Sequence, residues 1–270
     1  MNNNSPIGVF DSGVGGLTVA REIMRQLPNE SIIYFGDTAR VPYGNKSAET
    51  IINYSKQIAH FLIKQNVKAI VIACNTASAL ALDALHKEVS IPIIGVVKPG
   101  AKAALNTTRN NNIGIIGTEG TINSDIYTKY LKAKNPNVNV YKKACPLFVP
   151  LVEEGMLNDP ITDEMIRRYT KELVDLNIDS LVLGCTHYPL LRTAIHNILG
   201  DSITLVNPAY ETAISLSNTL KSHDLLTNNI EANHVFYVSD GADKFKEFAN
   251  TILPCEVVEI NDIHNIETYN

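Results

Sequence analysis

The sequence predicts an α/β fold with two doubly wound parallel-sheet lobes, related by a pseudo-twofold duplication, and an active site in the cleft between them. Short runs rich in Ile and Val alternate with helical patterns, as in βαβ units. Several runs are almost continuously apolar, which is typical of strands that helices cover on both faces. A repeat is the third observation: the run that begins at Ile7 is followed 67 residues later by Cys74, and the run that begins at Ile113 is followed 72 residues later by Cys185.

The alternation assigns the elements in order along the chain. Each predicted strand is a short run rich in Ile and Val, and each predicted helix is a longer segment with a helical pattern. The predicted strands are 6–10, 31–35, 69–73, 93–97, 112–116, 138–142, 180–184, 203–206, 234–238 and 256–259. The predicted helices are 16–27, 47–66, 76–88, 99–107, 121–134, 161–177, 189–199, 209–222 and 242–252.

Three prolines near positions 98 and 207 indicate where the lobes meet. They are Pro92, Pro99 and Pro208. We therefore expect lobe 1 to comprise residues 1–97 plus 208–270 and lobe 2 to comprise residues 98–207. Ligands of open parallel sheets bind at the carboxyl ends of the strands, and both repeated cysteines stand at such ends. This placement predicts a site between the lobes.

Composition and charge exclude several classes of protein. The 270 residues carry a net charge of −5 with a pI near 5.8, which argues against a sequence-independent nucleic-acid surface. The first residues show no secretory signal pattern, and no run of about 18 uncharged apolar residues is present to span a bilayer. We expect a cytoplasmic protein with neither membrane nor nucleic-acid partners.

The four cysteines show no spacing typical of a metal site or a disulfide scaffold. His187 lies close to Cys185 in sequence, but no compact Cys/His cluster supports zinc, so no metal is predicted. Cys145 and Cys255 lack the duplication and the following threonine, and we interpret them as structural.

Two polar segments follow predicted strands. Residues 11–16 form a glycine-rich turn whose N–H groups suit a carboxylate or phosphate, but they match neither a dinucleotide fingerprint nor a P-loop. A simple strand-to-helix turn is an equally good interpretation, although Asp11 at the strand tip is placed to orient or deprotonate a neighbour. Residues 34–44 are long enough to overhang a site, yet taken alone they indicate only a loop.

A lone cysteine after a strand is more often a small buried hydrophobe than an acid or base. Two at matching positions, each followed within two residues by threonine, reverse that preference. The threonines at these junctions suit helix capping and anion binding equally; they are Thr76, Thr118, Thr121 and Thr186. His187 is near enough to contact Cys185 or a substrate, or is structural. Glu153 stays open between a solvated acid and an inward-facing base.

Six stretches together resemble the glutamate racemase branch of the cofactor-independent aspartate/glutamate racemase superfamily. They run through most of the chain in the family's order: residues 10–18, 36–44, 73–78, 116–121, 144–147 with 152–153, and 184–189. The resemblance implies interconversion of L- and D-glutamate for peptidoglycan synthesis, two α/β lobes, no cofactor and a homodimer.

The resemblance also implies roles for individual residues. Cys74 and Cys185 correspond to the two acid/base residues, with Asp11 and either Glu153 or His187 supporting them. The residues that correspond to substrate-binding positions are Asp11, Ser12, Pro42, Tyr43, Gly44, Asn75, Thr76, Thr118, Thr121, Thr186 and His187. The chemistry is consistent, because racemisation at an α-carbon needs two proton-transfer groups on opposite faces of a planar carbanion.

Three alternatives remain open from the sequence. One is an aspartate racemase of the same superfamily, and a second is a non-catalytic sensor of acidic amino acids. The third is a thiol hydrolase that uses Cys185 and His187. The spacing of two residues argues against a well-oriented dyad, and this reading leaves Cys74 without a role.

Overall fold

The computed structural model describes residues 2–269 and contains two parallel sheets. Within these residues the strands are β1 (Ile7–Asp11), β2 (Ile32–Gly36), β3 (Ala69–Ile72), β4 (Ile93–Gly95), β5 (Asn112–Gly117), β6 (Asn139–Ala144), β7 (Ser180–Gly184), β8 (Thr204–Val206), β9 (His234–Val238) and β10 (Asn261–Asp262). The larger sheet has the order β10-β9-β2-β1-β3-β4, and the smaller has the order β6-β5-β7-β8. This architecture confirms the predicted fold class. The exact lobe borders near residues 97 and 207 stay a prediction.

The helices cover both faces of each sheet. They are α1 (Leu17–Gln26), α2 (Ala48–Lys64), α3 (Asn75–Glu88), α4 (Val97–Thr107), α5 (Glu119–Asn123), α6 (Ile126–Lys134), α7 (Phe148–Glu153), α8 (Pro160–Asp175), α9 (Arg192–Leu199), α10 (Pro208–Ser222) and α11 (Ala242–Ile252). Short 3₁₀ helices lie at Thr38–Arg40, Tyr43–Asn45, Tyr188–Leu191 and Ile266–Thr268. No helix within residues 2–269 combines the length and apolar character of a membrane span.

Burial on both faces explains the continuous apolar runs. Every residue of β1, β2, β3 and β7 is buried. In β1, Val9 packs in the cluster that includes α1, α10 and α11, whereas Phe10 packs in the cluster that includes α2 and α3. Burying each such side chain contributes about 1.5–3 kcal/mol to the stability of the fold. Packing against helices therefore stabilises both faces of the sheet.

The strand registers bring the ends of equivalent strands together in each sheet. Phe10 pairs with Ile72 in the larger sheet, so Asp11 and Cys74 emerge at the same edge. In the smaller sheet Gly117 pairs with Gly184, which places Cys185 at the corresponding edge. The two lobes therefore present their cysteines in equivalent positions, in agreement with the repeat in the sequence.

The predicted helix 121–134 is wrong as a single helix. The chain forms α5 and α6 instead, separated by Asp125 in the left-handed region with φ of 57°. Aspartate tolerates this conformation better than most residues. An ion pair of 2.7 Å from Lys142 Nζ to Asp125 Oδ1 holds the break to the neighbouring strand β6.

The predicted strand 256–259 is also wrong, because β10 lies further along the chain at Asn261–Asp262. The side chain of Asn250 on α11 occupies the backbone groups of Val257: its Oδ1 accepts from the Val257 N–H over 2.8 Å, and its Nδ2 donates to the Val257 carbonyl over 3.3 Å. These bonds take the place of strand pairing at Val257.

Two further differences concern short helices. Helix α7 was not predicted; its six residues include Pro150 and end at Glu153. The predicted helix 189–199 begins instead as the 3₁₀ turn Tyr188–Leu191 and becomes α-helical at Arg192. Both segments flank the site described next.

Candidate active site

A cavity of about 280 Å³ opens between the two sheets and contains both repeated cysteines in its lining. Cys74 and Cys185 are each 6% exposed. The lining comprises Ser12, Gly13, Val41, Pro42, Tyr43, Gly44, Cys74, Asn75, Thr76, Thr118, Val149, Pro150, Glu153, Cys185, Thr186 and His187. Of the predicted site residues, Asp11 and Thr121 do not line it and lie behind it. A larger cavity of about 720 Å³ between α3, α4 and α10 is lined by none of the predicted site residues.

Cys74 is the N-cap of α3, where its Sγ accepts the Ala77 N–H over 3.4 Å. Burial raises the pKa of the Cys74 thiol to about 12, the negative charge of Asp11 adds to the increase, and the Ala77 N–H opposes it. Helix N-termini favour a thiolate, but here desolvation outweighs that effect. Cys74 is therefore a thiol at neutral pH.

Asp11 lies directly beneath the cavity and is fully buried. Its Oδ2 accepts the Gly13 N–H over 2.9 Å, and its Oδ1 accepts the Thr186 hydroxyl over 3.4 Å. The second bond joins the two lobes. Burial raises the pKa of the Asp11 carboxyl, while the positive charge of His187 and the Gly13 N–H act in the opposite direction.

Cys185, His187 and Glu153 form a contiguous group on the other side of the cavity. Cys185 Sγ lies 3.8 Å from His187 Nδ1, and His187 Nε2 lies 3.0 Å from Glu153 Oε1. The two side chains are thus in contact although they are only two residues apart in sequence. His187 has φ of −77° and ψ of −31°, so the chain turns and carries the ring back toward the thiol.

This group favours an imidazolium. Burial by itself lowers the pKa of His187, but the contact with Cys185 and the hydrogen bond to Glu153 outweigh it and raise the pKa to about 10. The same hydrogen bond lowers the pKa of Glu153. The sequence left Glu153 open between a solvated acid and an inward-facing base. Its carboxylate faces the His187 ring at the cavity, which favours the inward-facing interpretation.

Glycine at position 15 allows the two lobes to meet closely beside this group. An added Cβ at Gly15 would lie 2.4 Å from Thr186 Oγ1 and 2.5 Å from His187 Nδ1. At such distances any side chain at this position would force Thr186 and His187 to move. The glycine-rich turn thus serves close packing against the opposite lobe.

A buried carboxylate holds the loop that carries Pro42, Tyr43 and Gly44. Asp37 accepts hydrogen bonds from Arg40 Nε at 2.8 Å, from Ser239 Oγ at 2.9 Å and from the Tyr43 hydroxyl. The Arg40 guanidinium also stacks on the Tyr54 ring at 3.9 Å. The segment predicted to overhang a site is thus part of the cavity wall.

Three threonine hydroxyls link the two lobes at the far side of the cavity. Thr76 Oγ1 lies 2.9 Å from Thr118 Oγ1 and 3.3 Å from Thr121 Oγ1, and Thr118 donates to Thr121 over 3.1 Å. Thr118 also caps α5 by accepting the Thr121 N–H. Capping and a position at the cavity therefore coexist, as the sequence allowed.

Sequence reasoning missed four residues of the lining, namely Gly13, Val41, Val149 and Pro150. Gly13 and Val41 lie inside motifs that were recognised, and the alternation of polar and apolar residues there offers no sign of which ones face the cavity. Within residues 2–269 there is no cluster of three or more His, Cys, Asp or Glu suited to a metal ion.

The arrangement suits proton transfer. Two thiols from different lobes, each next to a second titratable group, share one small cavity. One pair is Cys74 with Asp11, and the other is Cys185 with His187.

Comparison with known proteins agrees with this geometry. The family model for Asp/Glu/Hydantoin racemase matches residues 7–213. A glutamate racemase from Geobacter metallireducens is 50% identical over 248 residues, covering 92% of each chain. Among solved structures, a glutamate racemase isoform from Bacillus anthracis superposes with a TM-score of 0.94 at 41% identity, covering 97% of this chain and 98% of its own. A glutamate racemase from Francisella tularensis in complex with D-glutamate superposes with a TM-score of 0.92 at 41% identity, covering 99% of this chain and 100% of its own. The chain belongs to the Asp/Glu/hydantoin racemase family.

Proposed function

We propose that this protein interconverts L-glutamate and D-glutamate without a cofactor, by acid/base proton transfer at the α-carbon between two thiols. The observation that carries the proposal is that Cys74 and Cys185, which follow equivalent strands of the two sheets, line one cavity. The choice of glutamate is supported by the relatives named above, one of which was solved with D-glutamate.

In the proposed direction from L- to D-glutamate, Cys185 as a thiolate removes the α-proton and Cys74 as a thiol delivers a proton to the opposite face of the carbanion. The step leaves Cys185 protonated and Cys74 deprotonated. This is the protonation state that the reverse reaction requires, so the two directions exchange the roles of the same groups.

Each thiol has its own helper in this proposal. The His187 imidazolium, favoured by a pKa of about 10, stabilises the Cys185 thiolate, and Glu153 holds the ring in place. Asp11 accepts the proton that makes Cys74 a thiolate. Burial raises the pKa values of both Asp11 and Cys74, so both groups favour their protonated forms.

Apart from the His187 imidazolium, the substrate carboxylates have neutral partners in this site. None of the described lining residues is Lys or Arg. The available donors are hydroxyls, the amide of Asn75 and the N–H groups at the start of α3, which favour an anion. We assign substrate binding to Ser12, Pro42, Tyr43, Gly44, Asn75, Thr76, Thr118, Thr186 and His187, with Asp11 and Thr121 behind them. Hydrogen bonds aimed at the α-carboxylate must also stabilise the carbanion.

The proposal extends to the protein's wider role. We infer that it works in the cytoplasm as a homodimer and supplies D-glutamate for peptidoglycan. Sedimentation velocity of the purified protein tests the homodimer independently of activity.

The decisive experiment is incubation of the purified, reduced protein with L-glutamate in D₂O without added cofactor. Loss of optical rotation together with deuterium at the α-carbon is the expected result. If a folded sample gives neither signal, the same assay with L-aspartate tests the related racemase. Binding of either amino acid without deuterium uptake would identify a sensor, and a trapped acyl-enzyme would identify a thiol hydrolase.

A further inference from the structure

The side chain of Tyr127 reaches the site from behind the cavity lining. Tyr127 lies near the start of α6, in the lobe of the smaller sheet, and is 2% exposed. Its hydroxyl donates to Asn75 Oδ1 over 2.8 Å. Asn75 is the first residue of α3, in the other lobe, and lines the cavity. The hydrogen bond therefore crosses between lobes and ends on a residue of the binding wall.

This bond decides which end of the Asn75 amide is free. The carbonyl oxygen is occupied by the Tyr127 hydroxyl, so the NH₂ group points away from Tyr127. The NH₂ group makes no hydrogen bond to any residue within 2–269. Among residues 2–269, the buried polar atoms that lack a hydrogen-bond partner do not include this nitrogen. The NH₂ group is therefore accessible to solvent.

The surroundings of Tyr127 hold its hydroxyl in one place as a donor. Its ring belongs to a buried apolar cluster that includes Val97, Ile113 and Val182. An added Cβ at Gly100 would lie 3.3 Å from the hydroxyl oxygen, so α4 passes directly over it. Burial raises the pKa of Tyr127 well above its ordinary value, which keeps the hydroxyl protonated. Asp125, in the left-handed conformation, immediately precedes α6, which carries Tyr127.

We propose that Tyr127 is a positioning residue that fixes the Asn75 amide with its NH₂ group directed at a carboxylate of the amino-acid substrate. The inference rests on the proposed function and deepens it, since it explains how a site without Lys or Arg in its lining presents a fixed donor to an anion. Tyr127 itself does not touch the substrate.

Tyr127→Phe removes the hydroxyl and leaves the ring. Without its partner the amide is free to rotate and to present its oxygen to the carboxylate. We expect KM for glutamate to rise about five- to tenfold in both directions, the usual effect of one lost hydrogen bond, while kcat stays within about twofold. The matched control is Tyr130→Phe, on the same helix, because Tyr130 contacts Lys98 rather than Asn75.

A double-mutant cycle separates positioning from packing. Asn75→Ala should raise KM by more than Tyr127→Phe does, and Tyr127→Phe added to Asn75→Ala should raise it no further. Independent, additive effects of the two substitutions would overturn the inference. So would an unchanged KM in a folded Tyr127→Phe variant.

Asn75→Asp provides a second test that leaves Tyr127 intact. The aspartate still accepts from Tyr127, but its other oxygen replaces the NH₂ group, so KM should rise above that of Asn75→Ala and recover partly as the pH is lowered.

Asn75 also lines a second cavity, of about 10 Å³, which has room for about one water molecule. If the NH₂ group faced that water, Asn75→Asp would bind glutamate no worse than Asn75→Ala, contrary to the inference. Wild-type protein in the same assay distinguishes this failure from failure of the proposed function, because inactive wild type refutes the latter.

Discussion

Glu153 and His187 form a hydrogen bond of 3.0 Å between Oε1 and Nε2, and the opposite ring nitrogen faces the thiol of Cys185. The carboxylate therefore acts on the thiol through the ring. Because α7 carries Glu153 and the turn after β7 carries the other two residues, this group depends on the packing of two segments against each other. The protonation state of this group can be tested by measuring activity as a function of pH.

Replacing Glu153 with Gln should move the alkaline limb of the pH–activity profile toward lower pH. The hydrogen bond to Glu153 is one of the causes that raise the pKa of His187, so its loss lets the imidazolium lose its proton at lower pH. The measurement is kcat/KM for L-glutamate from pH 6 to 10. Glu154→Gln removes the adjacent, exposed carboxylate and is the matched control. Identical profiles for the two variants would show that Glu153 does not tune His187.

Cys74→Ser and Cys185→Ser should each reduce racemisation by about 10²–10⁴-fold or more, as expected when an acid/base group is removed. Cys145→Ser should retain most of the activity. Cys145 is fully buried, and it is absent from the cavity lining. Optical rotation with L- and D-glutamate as separate substrates measures all three variants. Full activity in either of the first two would refute the two-thiol mechanism.

Gly15→Ala should abolish activity without the loss of any polar group. The new methyl would overlap Thr186 Oγ1 and His187 Nδ1, so the ring must move away from Cys185. Gly13→Ala is the comparison, because an added Cβ there comes no closer than 3.2 Å to any atom, the end of the Val41 side chain. We expect it to lose much less kcat/KM than Gly15→Ala. Equal losses would mean that the glycine turn acts as a flexible loop rather than by close packing.

Stability should decline as the pH rises above neutrality. The folded chain holds the proton of Cys74 up to a pKa of about 12, whereas an unfolded thiol titrates near pH 8.5. The contribution of His187 is complete below about pH 6.5 and is lost as the pH rises through about 10. In both cases the unfolded state binds fewer protons, so the free energy of unfolding falls.

The melting temperature measured between pH 7 and 10.5 checks this expectation. Cys74→Ser should follow the wild type below about pH 8 and fall less steeply above it, because the serine hydroxyl does not titrate in this range. A wild-type melting temperature that rises over the interval would contradict both pKa shifts.

The positions of the strands show how much of the fold can be predicted from the sequence. The apolar runs predicted nine of the ten strands within residues 2–269 to within two residues or so at each end, because burial on both sheet faces imposes an apolar residue at nearly every position. The tenth, near the C-terminus, failed because a side chain on α11 satisfies the backbone of Val257. Nothing in the local pattern of residues 256–259 reveals such a distant partner.

The helix break at Asp125 is a second feature, close to the site, that the local sequence pattern does not reveal. A helical pattern continues across residues 121–134, so the sequence indicates one helix, whereas the chain breaks at Asp125 and Tyr127 of α6 bonds to Asn75. Likewise, Asp11 was recognised, but its place behind the cavity and its bond to Thr186 follow from the contact between lobes.

The sequence by itself determined the α/β class, the duplicated cysteines and the edge of each sheet where they stand, since hydrophobic period and strand-end position are local properties. Tertiary structure alone decided which polar groups contact one another: Asp11 with Thr186, Cys185 with His187, and His187 with Glu153. Protonation depends on burial and on charges a few ångströms away, and these are set by how distant segments pack against one another.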